Sequence, residues 1–579
     1  MITFAFLLAF AAGGAFGFPE AILYFTGASC LEELDSTTLE KYERLHERPL
    51  RINEASRSRL QESGLFSAFQ LASLLDARER TGDILSETEL SLLDGFTAEF
   101  VRALAQFVDF GSSSPPGTVK KRRAEHDIVA RGSWSAANNL AGKASYLLTL
   151  PSDSQMYLSS TGTLSAAVYL RRSKIIVGDF NARFGQGVLL WSGVTLSGLS
   201  TLQAFRRNPS LLSPAASFGS TSHRGVAADF YLGKWTFSAA LSLPGLRSRM
   251  DSALQGDTAE STQQAVTLLP MAGISLTLSS VTLGATAFLC DGRAAFSGDF
   301  RAGLRNLSLF GEFAWDKAPA MLVGGIWHPV YGWKTALLAR YYSADYKGSL
   351  GASARAWSKV SDEAGCALGL QTPLGSLTLD YAFHPSTLQI SQGRPDAESQ
   401  LKAIASVSRE FGIASGALTL TPTLRAAFRR RPWDKLPGRT DVRCDLYAGF
   451  DNWSLGGRYN AVWCNEMSWL WFAEVMRDYD AAEQEGGAGA HTPVWRAAVR
   501  FTLFKADSWD DRIYAWERDV PQSFSVPACY GRGFSLSLLC GVKWRHAALH
   551  LRGVWRSWPW NITPKEDSAE VKMLVKFSF

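Results

Sequence analysis

Along residues 18 to about 110, apolar positions recur at helical spacing. Leu31, Leu34, Leu39, Tyr42 and Leu45 return every three to five residues with acids and bases between them, the stripe of an amphipathic helix. Ser36 or Thr37 is placed to cap a helix around residues 40–47, and Pro49 to end it. Residues 55–82 read as helix–turn–helix: Ser56 caps, Gly64 breaks, and Phe69, Ala72, Leu74 and Leu75 line the second helix. A third block repeats the pattern, with Ser86 capping, Glu89 three residues on, and Asp94-Gly95 turning the chain into residues 98–108. Two consecutive units of about thirty residues predict one small all-α bundle.

Beyond roughly His126 the period changes to two. Trp235, Phe237, Ala239, Leu241 and Leu243 alternate with Thr236, Ser238, Ala240 and Ser242; Leu377, Leu379 and Tyr381 alternate with Ser376, Thr378 and Asp380. Segments of this kind, separated by Gly, Asp, Asn and Pro turns, continue to the C-terminus. Their spacing predicts an all-β transmembrane antiparallel barrel of about 20 strands, within a range of roughly 18–24. In the last segment Val571, Met573, Val575, Phe577 and Phe579 share one face. That apolar strand marks Phe577 and Phe579 as the candidate membrane-insertion signal, and closure follows because lipid cannot satisfy an open strand edge.

Composition agrees with this reading. Hydrophobic residues make up 46% of the 579, and mean hydropathy is only −0.04, since lipid-facing and lumen-facing residues cancel in a barrel. Aromatics reach 12%, with 19 Trp, enough for girdles at both membrane interfaces. No run of eighteen apolar residues follows the N-terminus, which excludes a polytopic helical protein. The opening MITFAFLLAFAAGGAFG has signal-peptide length and ends small-x-small before Phe18. The expected organisation is therefore a leader at 1–17, a periplasmic helical domain at 18–110, a linker at 111–124 rich in Ser, Pro and Gly, and an outer-membrane barrel at 125–579. The basic run Lys120-Lys121-Arg122-Arg123 reads as a solvated boundary. The seven Cys form no disulfide framework or metal motif, although Cys444 and Cys464 are candidates to meet on neighbouring strands.

Several stretches together resemble the helix-hairpin-helix-containing outer-membrane β-barrel proteins of Gram-negative bacteria. They are Pro49-Leu50-Arg51-Ile52-Asn53-Glu54-Ala55-Ser56, Ala77-Arg78-Glu79-Arg80-Thr81-Gly82, the run from Gly178-Asp179-Phe180 through Phe184-Gly185-Gln186-Gly187 to Trp191-Ser192-Gly193, Asp510-Asp511-Arg512-Ile513-Tyr514-Ala515-Trp516-Glu517, and Pro527-Ala528-Cys529-Tyr530-Gly531-Arg532-Gly533. The resemblance implies the architecture, two degenerate helix-hairpin-helix units before a barrel, and assigns no activity.

Helix-hairpin-helix units grip DNA where glycines let hairpin N–H groups approach a phosphate. Here the first hairpin is Leu65-Phe66-Ser67, and the second, Gly95-Phe96-Thr97, keeps one glycine. Residues 31–110 carry nine Lys/Arg against sixteen Asp/Glu, a surface that repels a polyanion. DNA binding through Ser67, Gly95 and Thr97 is thus a minority reading, and Phe66, Phe69, Phe96 and Phe100 read as core. In the barrel, Asp179, Arg183 and Gln186 are candidates for a lumen constriction or ligand contact, with a folding kink at Gly185-Gln186-Gly187 as the alternative. The cluster Asp507, Asp510, Asp511, Arg512, Glu517, Arg518 and Asp519 reads as ion pairs with its own Arg residues rather than a Ca²⁺ site. No nucleotide, zinc or serine-hydrolase motif stands on suitable elements, so neither catalysis nor a cofactor or metal is expected. The expected partners are outer-membrane lipid, the barrel assembly machinery and an envelope protein. Three functions remain: a pore or transport barrel with a periplasmic plug or docking domain, a structural or assembly subunit of an outer-membrane complex, and DNA uptake.

Overall fold

The computed structural model describes residues 17–34, 36–112, 124–136, 140–170, 172–193, 199–215, 222–244, 268–330, 332–390, 398–409, 411–413, 418–431, 438–450, 452–478 and 494–579. All but the last residue of the expected leader, and the basic run 120–123, lie outside them.

From Glu125–Ser135 to Ser568–Ser578, 24 antiparallel strands pair each with the next, and the last with the first. His126 N–H donates to Phe579 O at 2.8 Å and Phe579 N–H to His126 O at 3.0 Å, which completes the closure. The count lies above the expected 20 and at the edge of the expected range, because some strands are short: Gln155–Ser159 has 5 residues and Leu164–Tyr169 has 6. Burial is inverted relative to a water-soluble sheet. In Trp235–Ser242 the apolar Trp235, Phe237 and Leu241 face outward, while Thr236, Ser238 and Ser242 are buried toward the lumen. Only a hydrocarbon solvent makes that arrangement stable.

Tryptophans mark the two edges of the outer apolar band. Trp235, Trp327, Trp453, Trp495 and Trp544 are exposed at one end of their strands, and Trp134, Trp315, Trp463 and Trp555 at the other. Trp453 and Trp463 bound a single strand. Ten steps of about 3.3 Å, tilted by about 40°, give a band about 25 Å tall, the hydrocarbon thickness that membrane barrels span. Near the first set, connections are as short as Gly233-Lys234 and Arg305-Asn306; this is the turn end. At the opposite loop end, the described residues of segment 184–215, and segments 343–362 and 507–530, fold back into the lumen. Phe184, Val188, Leu189, Leu190, Leu202 and Phe205 of the first pack with the wall residues Phe310 and Leu338 and with Tyr346 of the second. Val520 of the third packs with Val129, Leu539 and Leu574.

The α-helices of the N-terminal domain are α1 (Phe18–Thr26), α2 (Ser36–Glu47), α3 (Arg57–Ser63), α4 (Ala68–Arg80), α5 (Glu87–Ser91) and α6 (Ala98–Leu104). Ser56 caps α3 by accepting from Arg59 N–H, Gly64 ends it at φ +69°, and Ser86 caps α5. Leu50–Arg51 pairs in parallel with Val108–Asp109 and ties the two ends of this domain together. Its core is its own, built on Ile52, Leu60, Leu65, Leu74, Leu90, Val101 and Phe107. Its partners on the barrel encircle it. Arg48 reaches Asp127 of the first strand (2.6 Å), Arg57 the Gly233 carbonyl (3.2 Å), Glu99 Lys334 (2.6 Å), Glu33 Arg425 (3.3 Å) and Glu47 Lys576 of the last strand (2.6 Å). Only a body inside the ring can touch strands all round it.

Candidate functional site: the occupied lumen

A 24-strand barrel is too wide for wall side chains to fill. The helical domain and the three infolded segments occupy the lumen, and a cavity of about 1490 Å³ lies between the domain, segment 184–215 and the wall. It is lined by Lys41 and Tyr42 of α2, Phe96 and Thr97 before α6, Arg183 at a strand end, and Trp191, Arg206 and Arg207 of segment 184–215.

The domain's firmest polar tie is Glu32. Its carboxylate pairs with Arg443 (3.1 Å) and Arg458 on the wall and accepts Trp516 N–H of the third infolded segment (2.9 Å). Burial pulls its pKa upward, but the two guanidiniums and the N–H overcome that and hold it well below the usual carboxylate range. Next to it, Glu33 accepts from Ser200 Oγ (3.0 Å), and Thr201 Oγ1 donates to the Gly27 carbonyl (2.8 Å). Gly27 ends α1 at φ +74°, and a Cβ there would lie 2.5 Å from Ala204 N, so helix and segment touch only because the residue is glycine. Glu43 accepts Gln522 N–H at 2.7 Å, and burial pushes its pKa up to about 8.

The candidates at residues 179–187 separate. Asp179 is buried in a two-bond pair with Arg224 (2.6 and 2.7 Å) and accepts Leu164 N–H (2.9 Å). Gln186 is also buried; its side-chain oxygen accepts Arg207 N–H at 3.0 Å. The Gly185-Gln186-Gly187 turn wraps its backbone round Glu312 of the wall. The N–H groups of Gln186, Val188 and Leu189 donate to that carboxylate at 2.6, 3.0 and 3.1 Å. Gly185 has φ +56°, and a Cβ on it would fall 2.5 Å from Glu312 Oε2. Of the three candidates, Arg183 alone lines the cavity, its Nε donating to Ser192 O at 2.8 Å.

Ser67, Gly95 and Thr97 face the same cavity as parts of helix ends. Ser67 caps α4 in a reciprocal box with Gln70, and Thr97 caps α6 by accepting Phe100 N–H. Gly95 turns at φ +86°, its carbonyl accepting Gln70 Nε2 at 2.9 Å. Phe66, Phe96 and Phe100 are core as expected, whereas Phe69 is 39% exposed and lines the cavity.

Other expectations are revised in detail. The acids of 507–519 pair mostly with bases outside their own run: Asp507 with Arg532 (2.6 Å), Glu517 with Arg552 (2.5 Å) and Asp519 with Lys572 (2.6 Å), while Arg518 pairs with Glu474 (2.6 Å). Cys444 sits opposite Tyr459, Cys464 lies beyond the end of that strand, and the two form no disulfide. Phe577 and Phe579 lie exposed on the outer face. The sequence reading missed Lys41, Arg206 and Arg207. The adjacent pair Arg206-Arg207, in a non-strand stretch next to Trp191, was the available signal.

No protein-family model matches the chain, and neither does any curated protein. Among solved structures it is similar to the outer membrane protein OpdK of Pseudomonas aeruginosa, at 11% identity over 79% of this chain and 98% of that one, TM-score 0.29. It is also similar to OccAB4 of Acinetobacter baumannii, at 8% identity over 79% and 99%, TM-score 0.28. A third similarity is to an Escherichia coli P pilus tip assembly intermediate, PapC-PapD-PapK-PapG, at 9% identity over 82% and 63%, TM-score 0.44. All three are distant, and the assignment as an outer-membrane-type β-barrel rests on this chain's own closure, girdles and inverted burial.

Proposed function

We propose that the chain is an outer-membrane transport channel, with its turn end toward the periplasm, and that residues 18–110 are a plug that leaves its seat when solute passes. The observation that carries this is the kind of contact holding the domain. Its apolar core is joined from outside by Phe524, while its ties to the wall are mostly charge pairs and hydrogen bonds such as Glu32–Arg443, Glu33–Arg425 and Glu99–Lys334. Water can replace these partners when the domain moves, so release costs far less than exposing an apolar face. Kinship with helix-hairpin-helix outer-membrane proteins belongs to the same proposal, supported by the long motif from Gly178 to Gly193.

Planar-bilayer conductance of the full chain and of a form lacking residues 18–110 tests the reading. The full chain is expected to be closed or to flicker, and the shortened form to conduct steadily. Absence of conductance in both sinks it. A second reading, docking of an envelope partner, is favoured by Leu92 beside α5, which is 79% exposed, and Leu85, 55% exposed. Site-specific crosslinking from position 92 in envelopes tests that one; no adduct above the monomer would remove it.

A further inference from the structure

The charges lining the central cavity are unbalanced. Eleven Lys/Arg face it against six Asp/Glu. Of those acids, Glu40 pairs with Arg44 (2.6 Å), Glu62 with Arg59 (3.1 Å) and Glu125 of the first strand with Arg48 (3.1 Å). Arg206 and Arg207 stand on the side made by segment 184–215. Arg183 and Arg207 both lie over the Trp191 ring, at 5.9 and 4.8 Å from its centre. Neither Arg206 nor Arg207 has a carboxylate within ion-pair distance among the described residues, and Arg207 Nη1 is buried with no acceptor among them. Lys41 of α2 approaches the same group from the plug.

Such a cluster is costly without a counter-charge, because low dielectric strengthens repulsion as well as attraction. Burial and the guanidiniums of Arg355 and Arg183 outweigh the opposing pull of Tyr342 and Glu312 and push Arg207 down to about 9; burial and Arg183 outweigh Glu62 and push Lys41 down to about 7. The aromatic face of Trp191 holds the guanidiniums of Arg183 and Arg207 in place, where a long side chain on its own would move out to water.

The geometry points to an oxyanion site: the cavity binds the carboxylate or phosphate group of a small solute between Lys41, Arg183 and Arg207. This deepens the channel reading, from which it takes only the idea that the solute is cargo. Lys41 belongs to the plug and the two arginines to the wall side, so the bound anion bridges the part that moves and the part that stays. Filling the site would tighten the seat of the plug, and emptying it would loosen that seat.

Isothermal titration of the detergent-solubilised full chain with citrate, with inorganic phosphate and with neutral glucose tests the site. Saturable binding of citrate or phosphate with no response to glucose is expected; whichever anion binds tells whether carboxylate or phosphate is recognised. Arg207→Gln and Lys41→Gln, made separately, are each expected to weaken binding about tenfold or more, the worth of one charge-assisted hydrogen bond. Arg207→Lys should recover part of it. Folding of every variant is checked by heat-modifiable migration of the barrel. If neither anion binds the folded wild-type chain, or if both glutamine variants bind as well as wild type, the site is refuted. A chain that binds anion yet never conducts, with or without residues 18–110, keeps the site and loses the channel. A chain that conducts but binds neither anion does the reverse.

Discussion

Segment 184–215 and the helical domain occupy the same lumen, but they are held there by different forces. Leu189, Leu190, Leu202 and Phe205 of the segment share one apolar cluster with the wall residues Phe310 and Leu338. The helical domain keeps its apolar side chains in a separate cluster, joined from outside by Phe524 of the third infolded segment, and otherwise meets the barrel mainly through polar groups. Removing apolar surface from its cluster exposes it to water at about 25 cal/mol per Å². Parting a charge pair returns both charges to water, which repays most of the lost attraction. The segment is thus held to the wall by a shared apolar cluster, and the domain mainly by contacts that water can replace, as the proposed plug requires.

The largest test of this contrast is Glu32→Gln. It leaves Arg443 and Arg458 buried without their shared carboxylate, and roughly 3–5 kcal/mol of docking should be lost. Protease cleavage within residues 18–110 should appear in the folded barrel, and conductance should rise. Leu190→Ala comes next, costing about 2–5 kcal/mol because Leu190 is fully buried in the shared cluster. Its effect should show as a lower unfolding temperature of the barrel with the plug still protected from protease. If Leu190→Ala instead frees the plug and Glu32→Gln does not, the contrast is wrong.

A pH series separates two arms of the docking. Glu32 has a depressed pKa, so its contribution is present above about 4.5 and is lost as pH falls through its folded value. Glu43, facing Glu40, Glu47 and Asp519, is raised to about 8, so docking is progressively disfavoured as pH rises from about 4.5 to about 8. Plug protection should therefore peak in mild acid and fall on both sides, up to about pH 7, above which loss of the Lys41 charge opposes the Glu43 trend; Glu43→Gln should flatten the fall between about pH 4.5 and 7. A profile unchanged by Glu43→Gln would discard this assignment. The smallest effect is expected for Glu47→Gln. Its pair with Lys576 is the more open kind, with Glu47 30% exposed, and about 0–1 kcal/mol is at stake. Protease protection within error of wild type is the expected outcome.

The barrel was legible because its signal is local. Alternation such as Trp235 to Ser242 follows from two faces meeting two solvents, and each strand carries that pattern alone. Helix ends were equally readable at Ser56, Gly64 and Ser86, where one side chain or one φ angle does the capping. The site was less readable. Asp179 and Gln186 looked like lumen ligands, but the partner of Asp179, Arg224, is set by the register of two neighbouring strands, and that of Gln186, the Arg207 N–H, by loop folding; spacing encodes neither. Ser67 was singled out for DNA because of its hairpin position, while Gln70 three residues on already announced a capping box.

The sequence by itself determined that this chain closes a lipid-facing barrel behind a small helical domain, since periodicity and caps are local responses to solvent. Tertiary structure alone decided that the domain lies inside the barrel, and that Arg183 and Arg207 meet round Trp191 in a cavity that Lys41 also lines. Those positions are far apart in the chain, and what joins them is a lumen too wide for its wall to fill and the charge pairing that fills it.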